Sequence, residues 1–230
     1  MRFELACWDL DGVIADSSRA IPICINLALE EIGVAALPLA ELRRFIGPPL
    51  LDTFRLVIEN AGGDGGLARA SVEAYRHHYK TESILSTTVY PGVAELLARL
   101  QGTMRLIVVT SKPVDAAAPI LTALGVRDFF EGVYAPELDE LEEPKSETLR
   151  QALAAIGMTP SPRSVMIGDR LHDIIAGKAN GLTTVGVLWG FGSREELEAE
   201  RPDHVVESST DLGALLTLPW SPAAGSTLPG

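Results

Sequence analysis

Apolar and polar residues follow two different rhythms along this chain. The run RFELACWD, residues 2–9, is short, mostly apolar and closed by polar residues, as in a buried parallel strand. From Ser17 to Gly33 the spacing turns helical, with Ile21, Ile25, Leu29 and Ile32 near one stripe and Ser17 or Ser18 placed to cap it. Helical patches recur at 39–46, 50–60 and 66–79, divided by GPP (47–49) and GGDGG (62–66), so residues 17 to about 80 read as all-helical. Beyond them the pattern alternates. Helices are predicted at 93–100, 115–125, 146–157 and 172–180, and strands at 105–109, 130–135, 164–167 and 183–189. Such alternation implies a parallel sheet covered by helices on both faces. The predicted fold class is therefore α/β. Residues 1–16 and 89–216 form a three-layer, Rossmann-like core, and an all-helical segment, 17–88, is inserted into it. The Pro/Gly/Ser-rich tail at 217–230 is expected to be disordered.

Composition narrows the partners. The 230 residues suit one large domain, or one domain with a sizeable insertion, and 47% apolar residues supply ample core. Nineteen Lys and Arg against 31 Asp and Glu give a net charge of −12 and a pI near 4.8. A charge of that sign repels nucleic acid and anionic lipid, so neither is an expected partner. Cys7 and Cys24 are too few for a disulfide framework, and Cys7 falls inside the first strand. No segment approaches the ~20 apolar residues of a membrane span. MRFELACWD does not resemble a signal peptide, so a soluble, cytoplasmic protein is expected.

Ligands of open parallel sheets bind beyond the carboxyl ends of the strands, and three polar clusters fall there. Asp9 and Asp11, two residues apart, close the first strand, and Gly12 follows them. TSKP (110–113) follows LIVV, and GDRLHD (168–173) follows VMI; Lys145 opens the helix between these two clusters. Asp9, Asp11, Asp169 and Asp173 carry four negative charges against the one of Lys145. A set of oxygen ligands this acidic calls for a hard divalent cation, and Mg²⁺ best suits a site that also holds phosphate. One carboxylate can then attack phosphorus while the other serves as general acid and base. Thr110 and the backbone N–H groups after it, beginning with Ser111, can hold the remaining phosphate oxygens. The pattern is that of a phosphoryl-transfer centre.

With these four motifs the chain resembles the haloacid dehalogenase superfamily over residues 3 to about 216, in the phosphatase branch with a helical cap inserted after the first motif. The stretches FIGPPL (45–50), YPGVAELLARL (90–100), VTSKP (109–113), MIGDRLHDI (166–174) and GVLWGFGSREEL (186–197) are similar to phosphoglycolate phosphatase and 5′-nucleotidase-like members. The resemblance implies Asp9 as nucleophile and Asp11 as general acid/base. It implies that Thr110 and Lys145 bind the phosphoryl group. Mg²⁺ would be held by Asp9, the backbone carbonyl of Asp11, and Asp169, with Asp173 in support. One departure is local: Lys145 lies in EEPKSET rather than the Lys-Pro-x-Pro form common in relatives.

The expected activity is hydrolysis of small phosphorylated metabolites, with phosphoglycolate as the first substrate. A 5′-nucleotidase acting on nucleoside monophosphates, a sugar phosphomutase sharing all four motifs, and a non-catalytic phosphate-binding regulator are the alternatives. Other features read as structural. Ser193 and Glu196 form a predicted capping box. GFGS (190–193) lacks the third glycine of a dinucleotide fingerprint, and adjacent His77 and His78 cannot face one metal. Arg43 and Arg44 read as surface residues able to reach a substrate anion. The resemblance also implies that the stretch 43–50 is the site-facing part of the cap.

Overall fold

The computed structural model describes residues 3–46, 50–136 and 143–217. The central sheet is built from β1 (Leu5–Trp8), β4 (Arg105–Val109), β5 (Gly132–Tyr134), β6 (Ser164–Gly168), β7 (Thr183–Val187) and β8 (His204–Val206). The order across it is β5-β4-β1-β6-β7-β8, and every pairing is parallel. The chain thus lays strands to one side of β1, returns, and lays the rest to the other. That reversal leaves a crevice at the carboxyl ends of β1, β4 and β6.

Alternation of side chains explains why these strands read as unbroken apolar runs. Ala6 and Trp8 of β1, Leu106 and Val108 of β4, and Val165 and Ile167 of β6 pack into one core layer. Leu5 and Cys7, Ile107 and Val109, and Met166 pack into the opposite one. Successive residues point to opposite faces, so a sheet covered on both sides needs apolar residues at every position. The covering helices are α5 (Val93–Leu100), α6 (Val114–Ala123), α7 (Lys145–Ala155), α8 (Leu171–Ala179), α9 (Arg194–Ala199) and α10 (Ser209–Thr217). The sequence reading missed β8 and α10. The helix α10 runs through Thr217, so that residue belongs to the folded core; 218–230 lie outside the described residues.

Between β1 and α5 comes the helical insertion: α1 (Ala20–Glu31), α2 (Leu39–Leu42), α3 (Leu50–Asn60) and α4 (Ala68–Ser86). Its own core joins Ile25 and Leu29 of α1, Phe54 and Ile58 of α3, and Tyr75 and Tyr79 of α4. Neither Ser17 nor Ser18 caps α1. The N-cap position falls on Arg19, and the Ser18 N–H is instead drawn to Asp16 Oδ1 at 3.0 Å. The two connections to the core form a small antiparallel pair, β2 (Ala15–Asp16) with β3 (Thr88–Val89), which brings the two ends of the insertion together.

Leu97→Ala, fully buried beneath the sheet, should cost about 2–5 kcal/mol in urea unfolding. Leu85→Ala, 71% exposed on the insertion, should stay within about 0.5 kcal/mol of the parent. Equal effects at the two positions would contradict this assignment of the core.

Candidate active site

The carboxyl end of the sheet gathers the polar residues that the strands carry past their last apolar position. Asp9 follows Trp8 of β1, Thr110 follows Val109 of β4, and Asp169 follows Gly168 of β6. Lys145 is the first residue of α7 and Asp173 lies in the first turn of α8. All five are buried. One carboxylate oxygen each from Asp9, Asp169 and Asp173 falls within 4.8 Å of the others. Lys145 joins the group, its Nζ 2.8 Å from Asp9 Oδ1 and 2.5 Å from Asp173 Oδ1.

Each carboxylate has at least one oxygen fixed. Asp9 Oδ1 also accepts from the Leu10 N–H at 2.8 Å, and no contact engages its Oδ2 among the described residues. Asp173 Oδ2 accepts from the Arg170 N–H at 3.0 Å at the entry to α8. Asp169 Oδ2 accepts from the Phe191 N–H at 2.7 Å, while its Oδ1 is buried with no hydrogen-bond partner among the described residues. Two glycines make room for that carboxylate. Gly12 sits at φ +82°, and a Cβ there would lie 2.0 Å from Asp169 Oδ2; a Cβ on Gly190 would come within 2.4 Å of it. The GFGS stretch, read from sequence as bland, therefore wraps Asp169.

Burial sets the electrostatics. It pushes the Asp9 carboxyl up to about 6, with Lys145 opposing and Asp173 and Asp11 adding to the rise. Asp169 is driven well above the usual carboxylate range, again by burial first, then by Asp173 and Asp9. Burial alone would lower the Lys145 pKa, but Asp173 and Asp9 outweigh it and the ammonium is held charged.

Asp11 lies at the edge of this group, and its side chain turns to Lys112, whose Nζ is 2.9 Å from Asp11 Oδ2. Lys112 is a cation that the sequence reading overlooked, although it stands in TSKP. Two lysines, not one, therefore oppose the four aspartates. The Lys112 N–H donates to Thr110 Oγ1 at 3.2 Å, while the Ser111 side chain is exposed. The predicted capping box is one-armed. Ser193 Oγ accepts from the Glu196 N–H, but the Glu196 carboxylate accepts from Arg170 Nε at 2.8 Å and the Leu171 N–H at 3.0 Å.

Among the described residues, two polar contacts join the insertion to this loop cluster. Arg170 Nη1 donates to the Ile46 carbonyl at 2.7 Å, which lays the expected stretch against the core, although 47–49 are outside the described residues. Lys112 Nζ donates to the Tyr79 hydroxyl of α4, a contact the sequence reading did not foresee. His78 bonds Glu31 of α1 at 2.7 Å, a pair partly exposed on the surface of the insertion.

The haloacid dehalogenase-like hydrolase family model matches residues 6–187, and the chain belongs to that family. A 5′-nucleotidase of Pseudomonas aeruginosa is 35% identical over 94% of this chain and 95% of its own. A tyrosine-protein kinase, PtkA, of Mycobacterium tuberculosis is 34% identical over 90% of this chain and 69% of its own. A phosphoglycolate phosphatase of Pseudomonas putida is 30% identical over 98% and 83%. Among solved structures, a haloacid dehalogenase-like hydrolase from Streptococcus pneumoniae superposes with a TM-score of 0.84 at 26% identity, covering 93% of this chain and 98% of its own. The likeness to phosphoglycolate phosphatase and 5′-nucleotidase members that the motifs carry is matched by these relatives.

Removing Lys145 should expose the cost of the cluster. Lys145→Met strands two buried carboxylates and should destabilise the metal-free protein by about 3–5 kcal/mol at pH 7. Burial already raises the Asp9 carboxyl against the pull of Lys145, so without the lysine the folded Asp9 binds a proton more readily still than its unfolded form. The deficit should therefore shrink as pH falls from 7 to 5. Unfolding curves at the two pH values check this, and a deficit that grows on acidification would contradict it.

Proposed function

We propose that the protein is a Mg²⁺-dependent phosphoric monoester hydrolase that works through an aspartyl-phosphate on Asp9. The observation that carries this reading is the buried trio Asp9, Asp169 and Asp173 beside Lys145, with Asp9 Oδ2 and Asp169 Oδ1 left without hydrogen-bond partners among the described residues. All the available donors are hard oxygens, and an unpartnered buried carboxylate oxygen suits a small divalent ion. Asp9, the backbone carbonyl of Asp11, and Asp169 would hold Mg²⁺, with Asp173 supporting through Lys145 and the α8 entry. Bound there, the ion would offset the charge of the phosphoryl oxygens.

The remaining work falls to side chains of this chain. Asp9 attacks phosphorus as the ester P–O bond breaks, and the departing oxygen takes a proton from Asp11. Water then gives a proton to Asp11 while its oxygen displaces Asp9 from phosphorus, which releases phosphate and restores both carboxyls. Lys145 and the Thr110–Ser111 turn hold the phosphoryl oxygens, and Lys145 also orients Asp9 by occupying Oδ1. Gly12 supports the arrangement by giving Asp169 space. The helical insertion acts as the cap, covering the leaving group and excluding water.

The substrate is a small phosphorylated metabolite. Phosphoglycolate and nucleoside monophosphates are the first candidates, given the named activities of two relatives. Comparison of kcat/KM across phosphoglycolate, nucleoside monophosphates and sugar phosphates would rank them.

Asp9→Asn should fold normally and retain less than about 1% of turnover, since an amide cannot form the phosphoenzyme. Turnover near the parent level would remove Asp9 from the nucleophile role. Chelation by EDTA should silence the enzyme and added Mg²⁺ should restore it. Undiminished hydrolysis in EDTA would contradict the metal requirement. Ca²⁺ should not substitute, because its larger and looser coordination does not enforce the in-line geometry.

A further inference from the structure

We propose that Lys112 is a positioning residue for Asp11, and that Tyr79 makes its hold depend on the seating of the cap. The proposal rests on Asp11 being the proton donor and acceptor described above. Lys112 Nζ engages only one of the two Asp11 oxygens, Oδ2, at 2.9 Å. The other, Oδ1, is buried and has no hydrogen-bond partner among the described residues. A carboxyl pinned through one oxygen presents the other in a fixed direction. The geometry makes Oδ1 the atom that meets the leaving oxygen and, later, the water.

Lys112 is itself held firmly. Its side chain is only 9% exposed, and its ammonium lies 4.2 Å from the centroid of the Tyr79 ring while donating to the Tyr79 hydroxyl. Tyr79 is fixed in turn by stacking on Tyr75 at 5.2 Å, and Tyr75 meets Phe54 edge-on at 6.0 Å. A continuous row thus runs from the cap's core, Phe54–Tyr75–Tyr79, to Lys112 and then to Asp11. Lifting α4 away would take Tyr79 with it and leave Lys112 one partner short. Preorganisation of Asp11 would then exist only while the cap covers the site, when a phosphoenzyme also needs shielding from stray water.

The test separates positioning from mere structural support. Turnover of an alkyl phosphomonoester, which needs its leaving oxygen protonated, is compared with that of p-nitrophenyl phosphate, which needs this little. The aryl rate reports on the phosphatase reading; the alkyl-to-aryl ratio reports on Lys112. Lys112→Met should lower that ratio by at least about tenfold with KM for both esters little changed. Lys112→Arg should recover part of the loss. Tyr79→Phe should shift the ratio the same way by a smaller factor, and the double variant should be no worse than Lys112→Met alone. Equal losses on the two esters would reduce Lys112 to a structural ion pair. A KM rise confined to substrates with an anionic leaving group would make it a substrate contact instead. Either result overturns the proposal.

Discussion

Four aspartates converge at one end of the sheet, opposed by two lysines, and the surrounding structure is organised by the cost of keeping them there. Buried carboxylates are tolerated only when each is paired or hydrogen-bonded. Each of the four is anchored: Asp9 and Asp11 by lysines, Asp169 by a backbone N–H, and Asp173 by Lys145 on one oxygen and the entry to α8 on the other. Gly12 and the glycines after β7 are bound to the same constraint, because any side chain there would collide with Asp169. The deficit of two positive charges that remains is the charge of one divalent cation. With such a cation bound beside the two lysines, the site could receive a phosphate that a chain with net charge −12 would otherwise repel.

The cap is bound into the same economy of charge. Both of its described polar contacts with the catalytic loops are made by cations adjacent to the aspartates, Lys112 beside Asp11 and Arg170 directly after Asp169. Arg170 is held by Glu196, whose carboxylate also receives the Leu171 N–H at the head of α8. Seating of the cap and arrangement of the carboxylates are thus linked through short chains of contact.

Much of this was legible in the sequence, for physical reasons that also explain the gaps. The strand β1 and the polar residues after it stood out because a two-sided parallel strand must be apolar throughout and must end abruptly. Lys145 was placed at a helix start, and it does open α7. The three-residue β8 is too short to carry periodicity, and the two-residue β2 and β3 carry none. Lys112 was visible in TSKP but reads locally as a helix-entry loop. Its partners Asp11 and Tyr79 come from distant parts of the chain and only the fold assembles them. Glu196 satisfied a local capping pattern, yet a charged partner 26 residues away won its carboxylate. Local motifs are legible when their partners are local too.

The central claim is that ionising the buried Asp169 carboxyl is costly in the absence of metal, a cost that a bound cation would repay. Melting of the parent and of Asp169→Asn, each with and without Mg²⁺ near pH 7.5, measures this directly. The metal-free variant should melt higher than the metal-free parent, since the substitution removes a buried acidic group crowded by Asp9 and Asp173 and keeps an acceptor for the Phe191 N–H. Mg²⁺ at about 100 times its Kd should stabilise the parent by about 2.7 kcal/mol and the variant by far less. A variant that melts below the parent without metal, together with a parent that Mg²⁺ does not stabilise, would contradict the account.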